Sequence, residues 1–172
     1  MFIVYFSFLQ DQIIEWQSEE PNSFNWCNIQ NHFIRISTPT SEEIENAEAR
    51  LAAIGYHLPN DLKAFWREVG CGYFSGHELV NNGLEQPKTD LDIYLCEGDW
   101  ANIKSNCNLL MPNELPFLLT SNLDYITIGL EEGVNLGKIY RFGVEIAPNL
   151  IVFIQRLLEN PTYYLDYIPT AS

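Results

Sequence analysis

Basic residues are scarce in this chain: 9 lysines and arginines stand against 23 aspartates and glutamates in 172 residues, a formal net charge of −14 at pH 7. Such a balance repels phosphate backbones and anionic membranes, so neither nucleic acid nor a membrane surface is an expected partner. The four cysteines, Cys27, Cys71, Cys96 and Cys107, are widely spaced without a C-x-x-C pair. That excludes a zinc ribbon or redox dithiol and leaves buried thiols as the expectation. The three histidines, His32, His57 and His77, are too far apart for a helical metal pair, and neither H-E-x-x-H nor a phosphate-cradling G-x-x-x-x-G-K-[ST] occurs. Cys71 and His77 lie close in sequence, but a thiolate nucleophile also needs an orienting third group and oxyanion donors, which nearness does not supply. Apolar runs fall far short of the roughly 20 residues that span a bilayer. The opening MFIVYFSFL has no basic leader and meets Gln10 and Asp11 without a small-residue cleavage site, so a cytoplasmic location is expected. Internal repeats, low-complexity tracts and dividing linkers are missing too, so residues 1–172 are read as one domain, with 47% hydrophobic residues to fill its core.

What is present is clearest from Ser41 to Gly72. Thr40 is suited to cap a helix, with Glu43 completing a capping box, and Ile44, Ala47, Leu51 and Ile54 then fall on one stripe. Gly55 suits a left-handed helix end. Pro59 followed by Asn60 restarts the chain with a good capping residue, and His57, just before the Leu58-Pro59 corner, is read as structural. Leu62, Phe65, Trp66 and Val69 form a second stripe, after which Gly70 and Gly72 turn the chain into a short strand at Tyr73 and Phe74.

Elsewhere the signals are shorter. A first helix is expected from about Tyr5 to Gln17, with Leu9, Ile13 and Trp16 inward. Residues 80–89 read as a surface loop, Asp92 to Leu95 as a strand, Asp99 as a short helix cap, and Pro112, Glu114 and Pro116 as framing a brief segment. In the strand at Tyr125–Leu130, alternation predicts one buried and one partly wet face, the latter being the place to look for any homodimer contact. Gly133 and Gly137 bound a return loop, Ile139 to Phe142 pairs back, and Glu145 to Ala147 extends the sheet. A last helix starts near Asn149, buries Leu150, Phe153, Ile154 and Leu157, and ends before Pro161, with an aromatic tail packed beyond it. The reading is an α+β single domain, mainly an antiparallel sheet packed against N-terminal helices and a C-terminal helix.

Asp90, Asp92, Glu97 and Asp99 make the densest acidic cluster outside a helix. Three readings stay open. The cluster offers hard oxygen ligands to Ca²⁺ or Mg²⁺, though without calcium-loop spacing; it makes a solvated strand edge that discourages unwanted pairing; or it forms a protein-binding surface.

The helix pair with its Leu58-Pro59 corner, Phe65 and the Gly70/Gly72 turn resembles the signature of the SUKH superfamily, which includes fungal cell-wall assembly regulators and bacterial immunity proteins. ITIGLEEGVNLGKIYRFG is similar to its strand, glycine turn and strand, and NLIVFIQRLLENP to its closing helix; the best-matched core is about residues 40–160. The chain departs from the family's usual Asn-Gly pair, carrying Val69-Gly70-Cys71-Gly72 instead. The resemblance implies a fold and, by analogy, a function. The implied function is a non-enzymatic immunity protein that binds and neutralises a cognate protein toxin, a nuclease or other enzyme with a basic cleft that the acidic surface would cover. No cofactor or metal is expected, and the state is monomer or weak homodimer. Asp90, Asp92, Glu97 and Asp99, with Glu131 and Glu132 from the turn between two strands, are assigned to steering and polar contacts. Trp100 and Tyr94 are assigned as aromatic anchors, with core packing the competing reading for both and the preferred one for Tyr94. A regulatory protein-interaction scaffold and a small metal-dependent hydrolase on the acidic cluster are the alternatives.

Overall fold

The computed structural model describes residues 4–15, 32–75, 112–120, 124–160 and 162–167. The expected elements at residues 80–99 and three of the four cysteines lie outside them. A 3-10 turn at Ser7–Gln12 leads into β1 (Ile13–Glu15), followed by β2 (His32–Ser37), α1 (Ser41–Ala52), α2 (Asn60–Glu68) and β3 (Cys71–Ser75). Next come β4 (Glu114–Leu119), β5 (Tyr125–Gly129), β6 (Ile139–Arg141), β7 (Val144–Ala147), α3 (Leu150–Glu159) and a closing 3-10 turn at Tyr163–Asp166. The strands make two sheets: β1-β2-β3, in which β1 runs parallel to β2 and β3 antiparallel, and an antiparallel meander β4-β5-β6-β7. The α+β architecture expected from the sequence is therefore present, with one parallel pair added.

Local chemistry explains the helices. Glu43 N–H donates to Thr40 Oγ1 at 3.2 Å while the Glu43 carboxylate accepts from Thr40 N–H at 2.7 Å, closing the capping box. At the other end Tyr56 N–H reaches Leu51 O at 2.9 Å across Gly55, whose φ of +86° is costly for residues bearing a Cβ. Because α1 ends at Ala52, Ile54 belongs to the terminating turn; it is 59% exposed instead of inward as the stripe implied. The cap of the second helix lies one residue before the expected Asn60: Pro59 is its N-cap and Asn60 its first helical residue. Asp61 does the capping work instead, accepting from Leu62 N–H at 3.0 Å and from Leu150 N–H at 2.9 Å, so one carboxylate ties the starts of α2 and α3 together. Asn149 caps α3 through Val152 N–H at 2.9 Å.

The expected N-terminal helix is replaced by the 3-10 turn and β1. Two long-range partners account for this. The Glu68 carboxylate accepts from the N–H groups of Tyr5 (3.0 Å) and Phe6 (2.7 Å), and Ile13 to Glu15 align with Phe33 to Arg35 in β2, where Arg35 Nε meets Glu15 at 3.2 Å. Paired β-branched Ile13 and Ile14 fit a strand better than a helix.

One connected core joins both sheets and the helices. Phe65 sits edge-on to Phe6 and Phe33, at centroid distances of 5.2 and 5.6 Å, and Phe117 meets Phe153 edge-on at 5.5 Å. All four expected α3 residues, together with Leu62, Trp66 and Cys71, are buried, as are Tyr163 and Tyr164 of the aromatic tail. No helix among the described residues is long and apolar enough to cross a membrane.

The β5 strand departs from the half-wet expectation: Ile126 to Gly129 are buried on both faces. The β4 strand brings the Glu114 carboxylate to Thr127 Oγ1, which donates to it at 2.5 Å, and Gly129 lies under the backbone of Asn135. Homodimerisation through an exposed face of this strand is thus not available.

Candidate partner-binding surface

The two assigned acids that the structure describes, Glu131 and Glu132, open the turn between β5 and β6, and they differ. Glu131 is built into the turn. Its carboxylate accepts from Asn113 Nδ2 at 2.7 Å, its N–H donates to Asn135 Oδ1 at 2.9 Å, and its carbonyl accepts from the N–H groups of Asn135 and Leu136, each at 3.0 Å. Asn135 also donates from Nδ2 to Asn113 O at 3.3 Å, so a buried asparagine welds the turn to the residue before β4. Glu132 is exposed at the tip and presents its charge to solvent. Asp90, Asp92, Glu97, Asp99, Trp100 and Tyr94 lie outside the described residues.

Hydrophobic side chains missed by the sequence reading stand beside Glu132: Val134 is 60% and Leu136 38% exposed. The turn also abuts the Leu58-Pro59 corner, because His57 N–H donates to Leu130 O at 2.9 Å and a Cβ at Gly137 would lie 3.7 Å from Pro59 Cβ. That corner is braced by Glu48, which accepts from Leu58 N–H at 3.0 Å and lies 3.6 Å from both Lys63 Nζ and His57 Nδ1. His57 contributes to the corner through its backbone N–H, with its side chain 45% exposed beside Glu48, and exposed Ile54, five residues before Pro59, lies in the neighbouring chain segment.

From the turn the surface continues along β6 and β7. Tyr140 pairs in register with Glu145, and Lys138, just before β6, meets the Glu145 carboxylate at 3.2 Å. Burial first, then the negative charges of Glu145 and Glu114, push the Tyr140 hydroxyl pKa upward, so the phenol stays protonated and able to donate. At the far end Arg141 and Val144 close a two-residue loop of Phe142 and Gly143. The sequence reading had Phe142 in the strand; it lies in the turn, 37% exposed, with φ at +50°.

The side chain behind it is fixed. Arg141 Nε meets buried Asp124 at 2.5 Å and Nη1 donates to Tyr164 O at 3.0 Å, while its guanidinium carbon stands 4.9 Å from the Phe142 ring centroid. Asp124 is itself held by Thr120, whose hydroxyl donates to its carboxylate.

Among the described residues no cluster of three or more histidine, cysteine, aspartate or glutamate side chains is placed to hold a metal ion. The described residues present a braced turn carrying charge and apolar tips, a polar strand pair, and a fixed aromatic loop: groups suited to contact another macromolecule.

A sequence model of the SMI1 / KNR4 family (SUKH-1) matches residues 38–156, more than half of the chain and the span from before α1 into α3. The chain is also 28% identical over 151 residues to "Immunity protein YxxD" of Bacillus subtilis (strain 168), covering 85% of this chain and 97% of that protein. No solved structure matches.

Proposed function

This chain belongs to the SMI1 / KNR4 family (SUKH-1), and from that premise we propose that it is a non-enzymatic immunity protein that binds and neutralises a cognate protein toxin. The observation that carries the reading is the match, over 85% of this chain and nearly the whole of the relative, to a protein named for immunity. Charge supports it independently. At −14 the chain attracts a basic protein and steers its approach, and enzymes that grip phosphate carry basic clefts of the kind such a surface covers.

In this reading the chain acts as one domain in the cytoplasm, without turnover, as a monomer or weak homodimer. Glu132 offers an exposed carboxylate, while Glu131 shapes the turn that presents it. Asp90, Asp92, Glu97 and Asp99 supply further steering charge and Trp100 an apolar anchor. Neutralising those four carboxylates to Asn or Gln should slow association with little loss of stability; unchanged association rates would remove them from the surface.

The test is co-expression with the product of the coding sequence immediately upstream, scoring host survival and recovery of a complex. Rescue together with a one-to-one complex is the expected result. Loss of the host, with this chain folded and abundant and no complex recovered, would overturn the reading.

A further inference from the structure

We propose that Phe142 is an aromatic anchor by which this chain holds its protein partner, an assignment that rests on the partner-binding reading above. The β6–β7 loop has two central residues, and both Phe142 and Gly143 have positive φ, +50° and +76°. A two-residue hairpin with this backbone favours Asn-Gly or Asp-Gly, because Asn and Asp tolerate the left-handed region while a bulky aromatic is strained in it. The residue is 37% exposed, so part of its apolar surface is left to solvent. Strain of this kind at an exposed position is a mark of a residue whose use lies outside its own fold.

The ring is also held ready. Arg141 stacks against it at 4.9 Å, and that guanidinium is locked by Asp124 and by the Tyr164 carbonyl. A ring already supported in this way loses little conformational freedom on binding, which is the property that makes aromatic side chains efficient anchors. The partner it fits is a protein with an apolar pocket set in basic surroundings. A second copy of this chain would bring another −14 to the contact, so self-association through this loop is opposed by charge. From Gly137 to Phe142 the chain spans at most about 17 Å at roughly 3.3 Å per residue. A standard interface of about 800 Å² per partner is wide enough to cover the aromatic loop and the strand pair that leads to it.

The test measures binding of the upstream gene product by calorimetry to wild type, Phe142→Asn and Phe142→Trp, with a melting temperature for each. Phe142→Asn exchanges backbone strain for the lost Arg141–ring contact, so it should melt within about 4 °C of wild type and bind at least about tenfold more weakly, and Phe142→Trp, which keeps a ring, should retain binding. Equal affinity of wild type and Phe142→Asn would overturn the anchor and leave the immunity reading standing. A fall in melting temperature of more than about 4 °C for Phe142→Asn would also overturn it, because the fold itself would then need the ring. If wild type neither binds nor protects, the immunity reading fails and the anchor falls with it.

Discussion

Replacing Gly129 with alanine should be among the most damaging single-methyl additions in this protein, although its backbone lies in an ordinary strand. A Cβ there would be driven into the carbonyl oxygen of Asn135 and would stand 2.6 Å from its Cγ and 2.7 Å from its carbonyl carbon. Two of these are backbone atoms and cannot swing aside. Relief requires lifting Asn135 off β5, and Asn135 holds the turn through Glu131 N–H at 2.9 Å and Asn113 O at 3.3 Å. Overpacking costs about 1–3 kcal/mol and each lost neutral hydrogen bond about 1 kcal/mol, so a total near ~4 kcal/mol is expected. For a chain of this size that lowers the melting temperature by about 8–16 °C. Gly133→Ala is the internal control. Gly133 has φ of +76° but nothing within 4 Å of an added Cβ, so it should lose only about 1 kcal/mol through backbone strain. Calorimetric melting of both variants decides the matter: Gly129→Ala melting at or above Gly133→Ala would refute the claim that steric support of the turn, and not glycine's torsional freedom, matters at position 129. Since the turn carries Glu132, Val134 and Leu136, Gly129→Ala should also weaken partner capture.

Burial, the larger influence on Asp61, raises its pKa above 3.8 against the opposing hydrogen bonds from Leu150 and Leu62. The folded state therefore keeps the proton longer than the unfolded chain. Stability from this group is full below the unfolded value of about 3.9 and declines as pH rises through the folded value. The melting-temperature difference between wild type and Asp61→Asn should accordingly shrink from pH 3 towards pH 7, and a difference that is constant or grows would contradict the assignment. Asp124→Ala leaves the Arg141 guanidinium, 8% exposed in its side chain, buried without its counter-charge. A loss of about 3–5 kcal/mol is expected by denaturant unfolding. Adding Arg141→Met should recover part of it, and a double variant as unstable as the sum of the single losses would show that the pair is not coupled.

Much of the fold was legible because its signals are local. The Thr40–Glu43 capping box, the left-handed ends at Gly55 and Gly70, and the α3 stripe from Leu150 to Leu157 each depend on residues within a turn or two of one another. Periodicity carried less well where a distant segment competed. Residues 5–15 have an apolar spacing compatible with a helix, but the Glu68 carboxylate and the pairing with β2 take them into a 3-10 turn and a strand. Ile54 fits the helical stripe only if α1 continues past Ala52, and the cap at Gly55 ends it first. Of the candidate surface, Glu131 and Glu132 were legible as a turn between strands. That one is structural and the other exposed depends on Asn113, 18 residues away, and on Asn135.

By itself, then, the sequence determined α1 with its capping box and left-handed end, the apolar stripes of α2 and α3, the acidic balance and the family, since backbone torsions, capping chemistry and net charge follow from residue identity and near neighbours. Tertiary structure alone decided which carboxylates are consumed internally, why β5 is buried on both faces, and that Phe142 stands exposed over a locked arginine. Those outcomes arise where chain segments far apart in sequence meet, and there desolvation and steric contact override local preference.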